Sequence, residues 1–286
     1  MATPASKIIT QGWSPRRVSP TVGNDNSDAD DQMKRFVMAA TLMAFASVSL
    51  TAQGTKKDTV DVPVGSTVVD FGRHSPGVTR AVQSRIMDGQ TSMVPPILWK
   101  FTFVDSGAPL LLVHSDPEQA GAPSRGPSVT YVFDRKTVAL RAIRNDADGN
   151  PMLTFDGTHI VGQMMGPGGP TPLDITLSSA AFFKPLADLV VESLPAKQGV
   201  VYRVPLWSPP GVTIETHLYE AVRREDVTVL GKTYKQANVI EDRSADGKTL
   251  YGTLWVVDGE PHLVRWVINM PNGATINLDQ EVAPKR

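Results

Sequence analysis

The stretch Thr249–Glu281, TLYGTLWVVDGEPHLVRWVINMPNGATINLDQE, decides the fold class. Side chains alternate with period two, the spacing of a pleated strand rather than a helix. Leu250, Gly252, Leu254 and Val256 fall on one face, and Tyr251, Thr253, Trp255 and Val257 on the other. Gly259 and Asn272-Gly273 punctuate the pattern, and Ala245-Asp246-Gly247-Lys248 precedes it. Asp-Gly and Asn-Gly tolerate positive φ and favour tight hairpins, so antiparallel strands follow one another here. Apolar residues stand on both faces, so one face packs a core and the other receives a helix or lines an apolar cleft.

The pattern extends upstream. VVYRVPLW at 200–207 reads as a strand. Residues 212–230 read as one long or bulged strand, or as two, and 232–243 as another before the ADGK turn. LSSAAFFKPLADLVVESL, residues 177–194, predicts the main helix, capped by Ser178 or Ser179, split or kinked at Pro185 and stopped by Pro195. Earlier in the chain, DTVDVPVGSTVVDF suggests two short extended pieces. Val78, Val82 and Ile86, spaced by four, suggest a weak helix over 78–87. Pro95-Pro96 is expected to break the chain before the strand ILWKFTFV. Residues 110–114, 128–133 and 137–143 are further strands, and GQMMGPGGPTP at 162–172 is a turn-forming connector. The predicted class is mainly β with a minor helical component: a curved antiparallel sheet or half-barrel packed by a helix.

Two segments in this half carry a resemblance: SAAFFKPLADLVVESLPAKQGVVYRVPLW at 179–207 and TVLGKTYKQANVIEDRSADGKTLYGTLWVVDGEPHLVRWVINMPNGATINL at 228–278. A helix ending near Leu-Pro, a Gly-led return into a strand, a Trp-containing strand and an Arg-bearing strand closed by Asn-Gly follow in order. This order is similar to that of exported bacterial families of unknown function whose curved sheets resemble the lipoprotein-carrier half-barrel. The resemblance implies an envelope-side sheet platform or an apolar-ligand cavity, and no reaction.

Residues 1–32 mix Pro, Gly, Ser and Asn with Asp25, Asp28, Asp30 and Asp31, a composition that cannot bury enough apolar surface to order itself. They read as a disordered extension or a misassigned start. Met33-Lys34-Arg35 then opens an uncharged run, Phe36–Leu50, which is too short to cross a bilayer comfortably but fits the apolar part of an export signal. Residues 33–53 are therefore expected to be a signal peptide cut near Ala52 or Gln53, or earlier after Ala46. A retained anchor and a buried helix are the competing readings. Residues 54–286 form the exported β-rich domain, periplasmic or secreted, with a division into two lobes left open near 162–176.

Composition removes several function classes. There is no cysteine, hence no disulfide, thiolate nucleophile or Cys-bound metal. Five of the 28 basic and four of the 29 acidic residues precede residue 54, which leaves the domain near −2 and without a basic stripe for nucleic acid. Partners are instead expected to be a lipid or other apolar ligand, or an envelope protein, with no permanent transmembrane segment after signal cleavage. No cofactor or metal is expected. NDADGN at 145–150 lacks the later residues of a calcium loop.

Candidate chemistry is sparse. Glu215 and His217, at i and i+2, share one strand face, where the carboxylate could orient the imidazole or join it on a metal. His74, in the Asp70–His74 cluster, is a second catalytic candidate, and His262 could approach from a neighbouring strand. Arg265, Trp255 and His262 are the candidate ligand-binding residues. Arg265 alternates with Trp266, so it points away from the Trp266 face, toward an acidic ligand or a cross-strand carboxylate. The leading function class is an exported, non-catalytic binding or carrier-like protein for an apolar or amphipathic ligand. A hydrolase or isomerase using a His/carboxylate site is the first alternative, and a structural protein-interaction domain is the second.

Overall fold

The computed structural model describes residues 57–73, 76–105, 107–117, 128–166, 169–258 and 263–282, all within one compact unit, Thr55–Arg286. The expected extension and signal peptide lie outside the described residues, as do His74 and His262.

A short strand, β1 (Asp58–Asp61), opens the chain. A meander follows: β2 (Gly77–Met87), β3 (Gln90–Val104), β4 (Leu110–Pro117), β5 (Val129–Asp134), β6 (Leu140–Asn145), β7 (Pro151–Asp156), β8 (His159–Gly166) and β9 (Gly169–Thr176). The two-residue β10 (Phe182–Phe183), a 3-10 turn at Lys184–Leu186 and α1 (Ala187–Ser193) connect it to a second meander. That meander runs β11 (Val200–Trp207), β12 (Ile214–Val229), β13 (Lys232–Ser244), β14 (Leu250–Val256), β15 (Leu263–Asn269) and β16 (Thr275–Val282).

One pairing joins the two arms: β16 lies antiparallel to β2, from Thr275↔Ile86 to Val282↔Thr79. The sheet thus runs in the order β1-β11-β12-β13-β14-β15-β16-β2-β3-β4-β5-β6-β7-β8-β9, with β10 beside β11. The protein is mainly β with a small helical part, as the alternation in 249–281 predicts.

The expected helix at 78–87 is strand β2. A spacing of four repeats on one face of a strand as well as on a helix, so Val78, Val82 and Ile86 fit both. Pairing with β3 on one side and β16 on the other selects the strand. Pro95-Pro96 does not break the chain either. The ladder passes from Ala81↔Ile97 to Gln83↔Val94, and this bulge takes up the two prolines, which have no N–H to donate.

The connector at 162–172 belongs to the β8–β9 hairpin, paired from His159↔Thr176 to Gly166↔Gly169. Gly162 makes its entry feasible: at φ +149° a Cβ there would lie 2.0 Å from the Met152 carbonyl oxygen. Residues 212–230 form one strand with bulges at Ala221/Arg223 and Glu225/Val227.

The helix is shorter than its sequence suggests. Phe182 and Phe183 pair in parallel with Leu206 and Trp207, and Pro185 occupies the following 3-10 turn, so the α-helix begins only at Ala187. All seven of its residues are buried, including Asp188 and Glu192. The main core gathers Leu189, Val190 and Val191 of α1 with residues from both arms of the sheet. Phe155 of β7 stands 6.1 Å from Trp207 of β11, ring centre to ring centre, and Phe183 lies 6.0 Å from both Tyr131 and Trp207. Strands distant in the hydrogen-bonded order therefore meet through their side chains. The Phe182-Phe183 pair is core packing. A second, smaller cluster of Val227, Val229, Ala237, Val257 and Val264 packs with Tyr234 and Trp255.

Candidate functional site

The core-facing row of β12 is Glu215, His217, Tyr219 and Ala221, every second residue along an extended strand. Register places Val204 of β11 and Ser244 of β13 opposite His217, and Tyr202 and Asp242 opposite Tyr219. A polar series results that begins in solvent and ends in the core. Lys184 Nζ donates to Glu215 Oε2 at 2.6 Å, and these two side chains are 37% and 47% exposed. His217 Nε2 lies 3.4 Å from the same Glu215 oxygen, and His217 Nδ1 stands 2.7 Å from Asp242 Oδ1. His217 and Asp242 are only 3% and 5% exposed. With Asp242 ionised, Nδ1 carries the proton and donates to the carboxylate. Tyr251, the bulge residue of β14, covers the imidazole at 4.7 Å, and Tyr219 stacks on it at 6.2 Å.

The electrostatics follow the burial gradient. The Lys184 ammonium holds Glu215 below the ordinary carboxylate range. Burial pushes Asp242 up, and its hydrogen bond with His217 pulls it part of the way back. Burial, then the nearby Asp242 carboxylate, raises Tyr219 well above the phenol range. Deeper still, burial lifts Asp188 to about 6, and the Asp188 charge contributes to raising both Tyr131 and Tyr219. Asp188, in the first turn of α1, is thus close enough to Tyr131 of β5 and Tyr219 of β12 for its charge to act on both.

The structure brings Glu215 and His217 together as their spacing predicts, and it adds Asp242, Tyr219 and Asp188. Asp242 lies in the polar run EDRSADGK, where nothing marks one acidic residue as facing the core. Tyr219 continues the 215/217 alternation and was accessible to the same reasoning. Asp188 carried no such signal, because an acid in the first turn of a helix is ordinary on a solvent face.

Arg265 and Trp255 are neighbours across β14–β15, away from His217. Trp255 packs on the smaller cluster, and its Nε1 donates to Glu225 Oε1 at 2.7 Å. Arg265 grips Asp279 with two bonds, at 2.7 and 2.9 Å. His114 and His159 each stand 2.8 Å from an acid, Asp146 and Asp174 respectively, and both histidines are partly exposed. Among the described residues no three His, Asp or Glu side chains converge as a metal site, and no helix is long and apolar enough to cross a membrane.

Beside Tyr219 lies a narrow apolar cleft. Val191, Leu194 and Ala196 at the end of α1 form one wall, and Tyr202, Tyr219, Ala221 and Ile240 form the other. Its free space is about 10 Å³, room for the centre of one water molecule.

No protein-family model and no curated protein matches this chain. Among solved structures it is similar to the crystal structure of a LolA superfamily protein from Nitrosomonas europaea. The two are 13% identical with a TM-score of 0.26, over 77% of this chain and 92% of that one.

Proposed function

We propose that the chain is exported by its 33–53 segment and that the β domain binds an apolar or amphipathic ligand, without catalysis, in the periplasm or outside the cell. The sheet acts as an incomplete barrel curving round α1, and the ligand enters between α1 and β11–β13. The observation that carries this reading is the cleft beside Tyr219, whose walls are aliphatic and aromatic side chains. A guest larger than water requires α1 to move outward. The helix has only seven residues and ends at Leu194-Pro195, so it can shift as a short lid. Each methylene buried in such a cleft contributes about 0.8 kcal/mol.

The hydrolase or isomerase reading draws on the His217–Asp242 pair. Here the 3% exposure of His217 and the Lys184-held Glu215 at its Nε2 favour a structural role for the dyad. A substrate would have to displace an ion pair to reach the ring.

The test is native mass spectrometry of the protein recovered from its producing cells, together with the Ala196→Trp variant, which fills the mouth of the cleft. The natural chain should carry an amphiphile mass and begin near residue 53, and Ala196→Trp should lose that mass. An unprocessed N-terminus on protein recovered from the cytoplasmic fraction would refute export. Equal retention by Ala196→Trp would refute the cleft.

A further inference from the structure

Leu230 and Gly231 close the β12–β13 hairpin as a two-residue turn between Val229 and Lys232. Both have a left-handed backbone, with φ +48° and +81°. This is the geometry of a type I′ turn, where Asn or Asp ordinarily fills the first place and Gly the second. The chain keeps to that rule in the equivalent β2–β3 turn, where Asp88 and Gly89 stand at φ +50° and +73° between Met87 and Gln90. At 230 it does not. A leucine is disfavoured there because its Cβ crowds the following carbonyl. Core burial does not offset the strain, since Leu230 is 45% exposed. A lone exposed leucine is ordinary on a protein surface. One held in a backbone conformation that disfavours it points to a contact, since strain of this kind gathers at functional sites.

The hairpin carries this residue away from the sheet. Beyond Ala221 of β12 and Asn238 of β13, the two strands ladder only with each other among the described residues. Val227 and Val229 pack into the smaller core cluster and anchor the arm behind its tip. No acid occurs from Val227 to Tyr234. The two acids just before it are paired, Glu225 with Arg223 at 2.8 Å and Asp226 with Lys235 at 2.6 Å. The Lys232 ammonium lies over the Tyr234 ring at 4.7 Å. Residues 223–235 hold four cations against two acids, in a domain whose net charge is near −2.

We propose that the Leu230 tip is a docking point for an anionic phospholipid surface. Leu230 enters the hydrocarbon edge of the leaflet, Tyr234 stands at the level of the headgroups, and Lys232 meets lipid phosphates. An aliphatic tip backed by an aromatic ring and a long cationic side chain suits such an interface, which is apolar on one side and wet and negative on the other. A protein pocket would accept the leucine but give no role to the net positive arm behind it. With one leucine and few cations the contact is weak and reversible, and it does not depend on what the cleft holds.

The chain has no cysteine, so a single introduced one carries an environment-sensitive nitrobenzoxadiazole dye to a chosen place. Thr233→Cys sets the dye beside the tip. Met93→Cys sets it at a residue 66% exposed on β3, five strands from β13 in the sheet order. Protein recovered from its producing cells is titrated with phosphatidylcholine vesicles, with and without phosphatidylglycerol. The dye at 233 should brighten with the anionic vesicles and the dye at 93 should not. Omitting phosphatidylglycerol should weaken the response about fivefold, the effect of one cation near an anionic surface. Leu230→Asn, added to Thr233→Cys, should weaken it about tenfold or more, the effect of burying one leucine. The same substitution should hold or raise the unfolding temperature, because Asn suits the turn. No brightening at 233 would overturn the bilayer contact and leave a protein pocket as the partner of the tip. Equal brightening at 93 would mean unoriented adsorption, and an undiminished response of Leu230→Asn would remove the leucine's role; either refutes the proposal. A lower unfolding temperature for Leu230→Asn would show that the leucine serves the fold, and would overturn it too.

Discussion

Replacing Asp188 by Asn tests the burial of this carboxylate through its pH dependence. Burial raises Asp188 from 3.8 to about 6. A carboxylate raised on folding is ionised more readily in the unfolded chain. Its contribution is therefore most favourable below the unfolded value and is lost as pH climbs from about 3.8 through about 6. Above that window the ionised, buried group costs the fold about 3 kcal/mol. Asn has the same shape and no titration, but burying its amide adds a penalty of its own of about 1–3 kcal/mol. That penalty is independent of pH, so the decisive quantity is a double difference. The stability of Asp188→Asn minus that of the natural chain should rise by about 2–3 kcal/mol between about pH 4 and about pH 8. Asp242, whose carboxyl burial also raises, is present in both proteins. Urea denaturation at the two pH values supplies the numbers. A double difference near zero would show that the Asp188 carboxyl is solvated or paired in solution. A negative one would mean that a cation compensates it.

His217→Ala should destabilise the fold near neutral pH by about 3–5 kcal/mol, because it leaves the Asp242 carboxylate buried without its donor. The loss should shrink as acid protonates Asp242, whose pKa burial already raises, and chemical denaturation across pH measures this. Arg265→Ala should cost about 1–3 kcal/mol by stranding the partly buried Asp279, and Arg265→Lys should recover only part of it because an ammonium cannot reproduce the two-bond fork. Full recovery by Lys in thermal unfolding would show that charge alone matters there. Gly162→Ala should lower stability by more than about 2 kcal/mol, since φ is +149° and the new Cβ meets backbone at 2.0 Å. Unchanged thermal unfolding would refute that register for the β7–β8 hairpin.

What the sequence by itself determined was local. Period-two alternation and Asp-Gly or Asn-Gly turns are properties of neighbouring residues, so the strands of 249–281 and the shared face of Glu215 and His217 could be read directly. Where a local rule was ambiguous, tertiary pairing decided. Val78, Val82 and Ile86 suit helix or strand, and only the flanking β3 and β16 select the latter. Pro95-Pro96 and the Gly/Pro run at 162–172 look like breaks until a bulge and a hairpin accommodate them. Phe182 and Phe183 suit a helix face, yet β11 offers them a parallel ladder and the helix starts after Pro185. The meeting of His217 with Asp242, 25 residues away, and the burial of Asp188 in α1 depend on register and on a helix laid against the sheet. Period and propensity act over a few residues, whereas register and layer packing are set by contacts distant in sequence. For that reason the strands were legible beforehand, and the polar chain entering the core was not.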